Sequence, residues 1–175
     1  MTHPWRKTIL PLLILSFSLL LDGALTGIFQ TQLSGDFGYM IPRVIVLSFL
    51  MLSFYLPTSQ LIILSLVFGL LFDSYYSGIL GIYAAAFTIM VYGVSKVRKI
   101  FYPNMAMIGL VGVIAMSMVE FFVFLTYRLI NLVNMDFSHF AARRLGPTLL
   151  LNGCLYLVLY YPLKKMIVSI EDDGK

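Results

Sequence analysis

The residues best suited to chemistry in this chain are three acids, Asp22, Asp73 and Glu120, each set within a long apolar stretch. A charged side chain in such surroundings is costly, about 2.5–3.5 kcal/mol even on lenient insertion scales, so it is normally paired, turned toward other helices or functional. Two aspartates could in principle form a proteolytic dyad. However, the Gly-x-Gly-Asp segment of intramembrane aspartyl proteases is absent, since a Leu-Leu-Phe run precedes Asp73. The remaining interpretations are an outward-facing polar pocket, a surface for docking a partner, and ion pairs that fix the helix register.

Other catalytic patterns are missing from the sequence. The two histidines, His3 and His139, lie far apart, so zinc-binding histidine clusters are excluded, and neither a P-loop nor a Gly-x-Ser-x-Gly elbow occurs. The single cysteine, Cys154, lies in an apolar run and cannot form an intrachain disulfide. We therefore expect a protein with no catalytic residues, no cofactor, no metal site and no enzyme activity.

Composition points to an integral membrane protein. Of the 175 residues, 60% are apolar and only 11% are charged, whereas about a quarter of the residues of a soluble domain are charged. The net charge of +4 comes from basic residues beside apolar stretches, where they meet anionic lipid headgroups, so nucleic acid is not an expected partner. The spans and their short connections use the whole length, which predicts one polytopic domain over residues 1–175.

Six apolar stretches are long enough to cross ~30 Å of hydrocarbon, which predicts an all-α membrane protein with six transmembrane helices. Helix-breaking residues at Pro57, Ser77-Gly78 and Pro103-Asn104 separate several of them and favour antiparallel hairpins. The predicted spans run from about Thr8 to Phe29, Met40 to Leu56, Thr58 to Tyr76, Ile79 to Ser95, Met105 to Tyr127 and Leu145 to Leu163.

The basic residues predict the orientation. With a cytoplasmic N-terminus, eight of the twelve lie on the inner side and four on the outer side, which favours both termini in the cytoplasm. The inner set is Arg6, Lys7, Lys96, Arg98, Lys99, Lys164, Lys165 and Lys175, and the outer set is Arg43, Arg128, Arg143 and Arg144.

The three acids are predicted to share one depth. At ~1.5 Å per residue they lie roughly 20–24 Å from the inner ends of their helices. Arg43 and Arg128 fall near the same level, so we expect an outer polar network of Asp22, Glu120, Arg43 and Arg128. Gly23 and Gly27 form a Gly-x-x-x-Gly pattern, which favours close packing within the bundle first and a homo-oligomer second.

One segment resembles a known family. Gly69-x-x-x-Asp73 followed by Ser77-Gly78-Ile-Leu-Gly81-Ile-Tyr83, in a chain of this size with six predicted spans, resembles the MreD family of bacterial rod-shape-determining membrane proteins. The sequence from Tyr75 to Tyr83 looks like that of family members from Gram-positive bacteria. The resemblance makes Asp73 the characteristic acid, with Gly69, Gly78 and Gly81 as the other motif residues and a possible partner interface.

That resemblance implies a non-enzymatic component of the cell-elongation machinery in the bacterial cytoplasmic membrane. Such a protein works beside MreC, the MreB cytoskeleton, and the peptidoglycan polymerase and transpeptidase of the lateral wall. The family fold is similar to the substrate-binding subunits of energy-coupling-factor vitamin transporters. A vitamin-binding transporter subunit is therefore the alternative, although the predicted outer loops contain no tryptophan to grip a heteroaromatic ring.

Overall fold

The protein is described from a computed structural model that covers the backbone of residues 4–35, 38–101 and 103–172. The side chains of Arg6 and Lys7, and the whole of Lys175, lie outside the described part, and the predicted orientation of the basic residues stays a prediction. Within it the chain forms six long helices: α1 (Pro4–Ile28), α2 (Val44–Tyr55), α3 (Thr58–Phe72), α4 (Ile82–Val97), α5 (Met105–Leu129) and α6 (Gly146–Asp172). The predicted all-α class is confirmed.

The connections at one end of the bundle carry their own short elements. After α1 come a short helix, Gln30–Leu33, and two antiparallel two-residue strands, β1 (Ser34–Gly35) and β2 (Gly38–Tyr39). A π-helical turn, Asp73–Ser77, extends α3, and a second π-helical turn, Ala141–Leu145, follows the short helix Phe137–Phe140 and leads into α6. Such turns often mark functional sites, and both lie beside the charged residues described below.

Helix α2 is the centre of the bundle. Every residue from Val44 to Phe54 is buried, and α2 contacts each of the other five long helices. A helix that is apolar all round is expected at such a position. It begins at Val44 rather than at Met40, because the preceding residues run in an extended segment that is bonded to α6.

The α3–α4 hairpin is the most closely packed pair of helices. A Cβ atom added to Gly69 would overlap Cα of Ala84, so glycine is what lets the two backbones approach. At the opposite end of the bundle, Arg98 closes the turn between α2 and α3, since its Nη1 donates to the carbonyl oxygens of Ser53, at 2.7 Å, and Leu56. These contacts hold both ends of α3.

In the part of the chain that the structure describes, three helical segments are long and apolar enough to cross a membrane: Thr8–Ile28, Thr58–Ser77 and Met105–Leu129. Helices α2 and α4 are apolar but shorter. Large apolar side chains also face outward, as Phe17 and Leu20 of α1 and Ile63 of α3 do. An outer surface of this kind fits the hydrocarbon of a bilayer rather than water.

Candidate functional site

The three acids meet in one layer at one end of the bundle. Asp22 lies near the end of α1, Asp73 directly follows α3, and Glu120 lies in the second half of α5. Because neighbouring helices run in opposite directions, these positions come level with the starts of α2, α4 and α6. We call the six residues that meet there the polar layer: Asp22, Arg43, Asp73, Tyr83, Glu120 and Arg144.

Glu120 is the anionic centre of the polar layer. Its carboxylate is fully buried and pairs through Oε1 with Nε of Arg43, at 2.8 Å, and through Oε2 with Nη2 of Arg144, at 3.2 Å. Arg43 also donates from Nη2 to the hydroxyl of Tyr83, at 2.6 Å, and its guanidinium lies over the rings of Phe72 and Tyr83. The expected pairing of an intramembrane acid with an arginine is therefore present.

Asp73 joins the end of α3 to the start of α4. Its Oδ1 accepts from the backbone N–H of Tyr83 at 3.0 Å, and its Oδ2 accepts from those of Gly81 and Ala84 at 2.8 and 3.2 Å. The turn between them needs left-handed backbone at Gly78, with φ of 73°, and at Gly81, with φ of 102°, which glycine adopts without a steric penalty. Asp73 is wholly buried, so its carboxylate acts inside the hairpin.

Asp22 binds the backbone at the start of α2, as Asp73 binds the backbone at the start of α4. Its two carboxylate oxygens accept from the backbone N–H groups of Val44, at 2.5 Å, and Ile45, at 3.1 Å. Neither α2 nor α4 has a capping side chain at its own N-cap position. The first N–H groups of a helix have no partner within the helix and need an acceptor. A carboxylate at this position also interacts favourably with the positive end of the helix dipole. Each of the two acids therefore stabilises the start of a neighbouring helix.

Two polar residues of α6 fix the extended segment before α2. Asn152 accepts from the backbone N–H of Arg43 through Oδ1 and donates to the carbonyl of Ile41, both at 2.8 Å. Thr148 accepts from the backbone N–H of Ile41 and donates to the carbonyl of Tyr39, both at 3.3 Å. These bonds satisfy backbone groups that would otherwise be unpaired inside the bundle.

The predicted site residues divide into two groups. Asp22, Arg43 and Glu120 belong to the polar layer, whereas Arg128 is exposed near the end of α5 and does not pair with any of the three acids. Gly69, Asp73, Gly78 and Gly81 shape the α3–α4 hairpin, and their use as a partner interface stays a prediction.

Sequence reasoning missed Tyr83, Arg144, Thr148 and Asn152 as members of the site. Thr148 and Asn152 lie four residues apart in an apolar stretch, a spacing that places both on one face of a helix and could have indicated them.

The arrangement is suited to holding helices together. No hydrogen bond joins Asp22 to Asp73 in the described part of the chain, and each accepts from backbone N–H groups of a different helix. Among the same residues no group of three or more histidine, cysteine or acidic side chains could hold a metal ion. A pocket of about 390 Å³ opens beside Asp22 and Arg43.

Comparisons with known proteins agree on one family. The model of the family described as rod shape-determining protein MreD matches residues 6–170. The chain is 31% identical over 134 residues to the rod shape-determining protein MreD of Bacillus subtilis (strain 168), a match that covers 77% of this chain and 78% of the relative. No solved structure matches the chain.

Proposed function

We propose, because the chain belongs to the MreD family of rod shape-determining proteins, that it is a non-enzymatic membrane component of the bacterial cell-elongation machinery. In this role it binds MreC and couples the MreB cytoskeleton to the polymerase and transpeptidase of lateral peptidoglycan synthesis. The family match over nearly the whole chain carries the proposal. It is supported by a polar layer whose acids bind arginines and helix N-termini, an arrangement suited to a scaffold.

Within this proposal the chain crosses the cytoplasmic membrane six times with both termini in the cytoplasm. The asymmetry of the basic residues supports the orientation. Helices α2 and α4 have 12 and 16 residues, or ~18 and ~24 Å at 1.5 Å per residue. The extended segment before α2 and the turn before α4 supply the remaining depth, and irregular backbone of this kind is tolerated where protein covers it.

We infer that MreC contacts the groove between α5 and α6. This groove has a volume of about 670 Å³, and small residues line it, among them Ala106 and Gly153. Small side chains let the backbone of a second transmembrane helix approach closely, which is how helices associate where lipid is as apolar as the protein.

Capture of MreC tests the proposal. A Cβ at Gly153 meets nothing within 4 Å, so Gly153→Leu adds a bulky side chain to the groove, and Gly93→Leu is the matched control because a Cβ at Gly93 of α4 is equally unhindered. We expect the tagged chain to copurify with MreC in mild detergent, Gly153→Leu to lower recovery at least tenfold, and Gly93→Leu to leave it unchanged. If Gly153→Leu keeps full recovery, the contact lies on another face.

Depletion tests the cellular role separately. We expect rod-shaped cells to become round, or ovoid cells to lose elongation, with no loss of vitamin uptake. Cells that keep their shape and lose a specific uptake activity would contradict the proposal and favour a transporter subunit.

A further inference from the structure

The pocket beside the polar layer lies between the end of α1 and the π-helical turn after α3. Its volume is about 390 Å³, and it is open on one side, where Thr26 and Gly27 are exposed. The residues that give it chemical character are Asp22, Thr26, Gly27, Arg43, Phe72 and Tyr76. It lies apart from the groove between α5 and α6.

The pocket holds a carboxyl group and a guanidinium that are not bonded to each other. Asp22 and Arg43 both line it and both are buried, yet Arg43 forms its ion pair with Glu120. The Nε and Nη2 atoms of Arg43 donate to Glu120 and Tyr83. Among the described residues, no acceptor takes a hydrogen bond from its third nitrogen, Nη1. Each carboxylate oxygen of Asp22 takes one backbone N–H and keeps a further lone pair.

Two hydroxyl groups, those of Thr26 and Tyr76, line the pocket together with Asp22. The hydroxyl of Thr26 donates to the carbonyl of Asp22 at 2.7 Å, and that of Tyr76 donates to the carbonyl of Leu19 at 3.0 Å. Because both protons are used, each oxygen is left with acceptor lone pairs only. The pocket therefore accepts hydrogen bonds near Asp22 and donates them at Arg43.

We propose that this pocket binds the headgroup of an aminophospholipid, a zwitterion with a primary ammonium and a phosphate. The ammonium donates to Asp22, Thr26 and Tyr76, and the phosphate accepts from Nη1 of Arg43. A headgroup with phosphate alone would leave the acceptors near Asp22 without a donor. A trimethylated ammonium has no N–H to donate.

The surroundings of the pocket fit a lipid rather than a soluble molecule. The open side lies on α1, whose Phe17 and Leu20 are exposed and apolar, so acyl chains can run along the helix while the headgroup enters beside Gly27. The inference does not depend on the cell-elongation role, since a scaffold or a transporter subunit could each hold a lipid here.

Lipid binding to the full chain, measured by native mass spectrometry in detergent, tests the inference. A Cβ at Gly27 meets nothing within 4 Å, so Gly27→Leu places a bulky side chain at the open side of the pocket, and Gly93→Leu is again the matched control. We expect phosphatidylethanolamine to bind at least tenfold more tightly than phosphatidylcholine or phosphatidylglycerol with the same acyl chains. Gly27→Leu should abolish that preference, and Gly93→Leu should retain it.

A second variant and a soluble probe complete the test. Thr26→Val keeps the shape and removes one acceptor, so it should weaken phosphatidylethanolamine severalfold while the melting temperature in detergent stays within a few degrees. Free phosphoethanolamine should bind far more weakly than the lipid if the acyl chains contribute; equal binding would make the site one for a soluble amine phosphate. Equal affinity for all three lipids, or an unchanged preference in Gly27→Leu, overturns the inference.

Discussion

The carboxylate of Asp73 accepts hydrogen bonds from three backbone N–H groups through two oxygens, and both oxygens are needed for that geometry. An amide of the same shape offers one acceptor oxygen and turns an NH₂ group toward a donor. A methyl group offers none. The site therefore distinguishes charge and acceptor number rather than size.

We expect Asp73→Asn to lower stability and Asp73→Ala to lower it further, because an orphaned buried N–H costs about 1–3 kcal/mol. The measurement is the yield and melting temperature of the folded protein in detergent. Ser74→Ala is the control, since Ser74 is exposed and its hydroxyl bonds only to its own helix. Normal folding of both Asp73 variants together with loss of MreC capture would instead make Asp73 a docking residue.

Glu120 presents a second residue-level prediction. Glu120→Gln leaves Arg43 with no anionic partner at its Nε, and breaking a buried pair in this way costs about 3–5 kcal/mol. We expect the melting temperature to fall sharply, whereas Arg128→Gln should have little effect because Arg128 is exposed. If Arg128→Gln lowered the melting temperature as much as Glu120→Gln, the result would contradict the assignment of Arg144, rather than Arg128, to the polar layer.

The sequence predicted Asp22, Arg43 and Glu120 in one layer but named Arg128 where Arg144 lies. Counting residues gives the depth of a side chain along a helix, and that depth was enough to place Asp22, Arg43 and Glu120 in one layer. It does not give the direction in which the side chain leaves the helix. Arg144 lies in a π-helical turn, which changes that direction in a way that a regular helical count does not contain.

At the scale of the elements, the α3–α4 hairpin depends on contact between two backbones. We expect Gly69→Ala to destabilise the protein by about 1–3 kcal/mol, because its methyl group would meet the backbone of Ala84. Gly93→Ala should be neutral or stabilising by up to about 1 kcal/mol, since alanine is the better helix former and the position is open. Thermal unfolding in detergent measures both, and a stable Gly69→Ala would refute the close approach.

The start of a helix was predicted well where the local sequence determines it, and less well where residues distant in the sequence determine it. The start of α5 at Met105 follows the prediction, since Asn104 caps it with its own side chain. The start of α2 differs by four residues. Asn152, which holds the preceding segment, is 109 residues away from Arg43 in sequence, and no local pattern reports such a bond.

At the scale of the whole molecule, the proposed topology makes a direct prediction. Reporter fusions after Ser95 should report the cytoplasm and fusions after His139 the outer side, because the basic residues favour the cytoplasmic face. A phosphatase that is active only outside and a fluorescent protein that is active only inside measure the two cases. The opposite pattern would reverse the orientation and place the polar layer on the cytoplasmic side.

The pairing of Arg43 with Glu120 also sets an order for biosynthesis. The two residues are 77 positions apart. In the proposed topology, α2 therefore enters the membrane before the ribosome has made the acid that neutralises Arg43, which directly precedes α2. Until α5 arrives, the nascent chain holds an unpaired cation beside the translocon, where water or an insertion chaperone must shelter it. Ribosome-stalled chains that end before α5 should therefore stay bound to the insertion machinery, and chains that extend past Glu120 should be released into the bilayer.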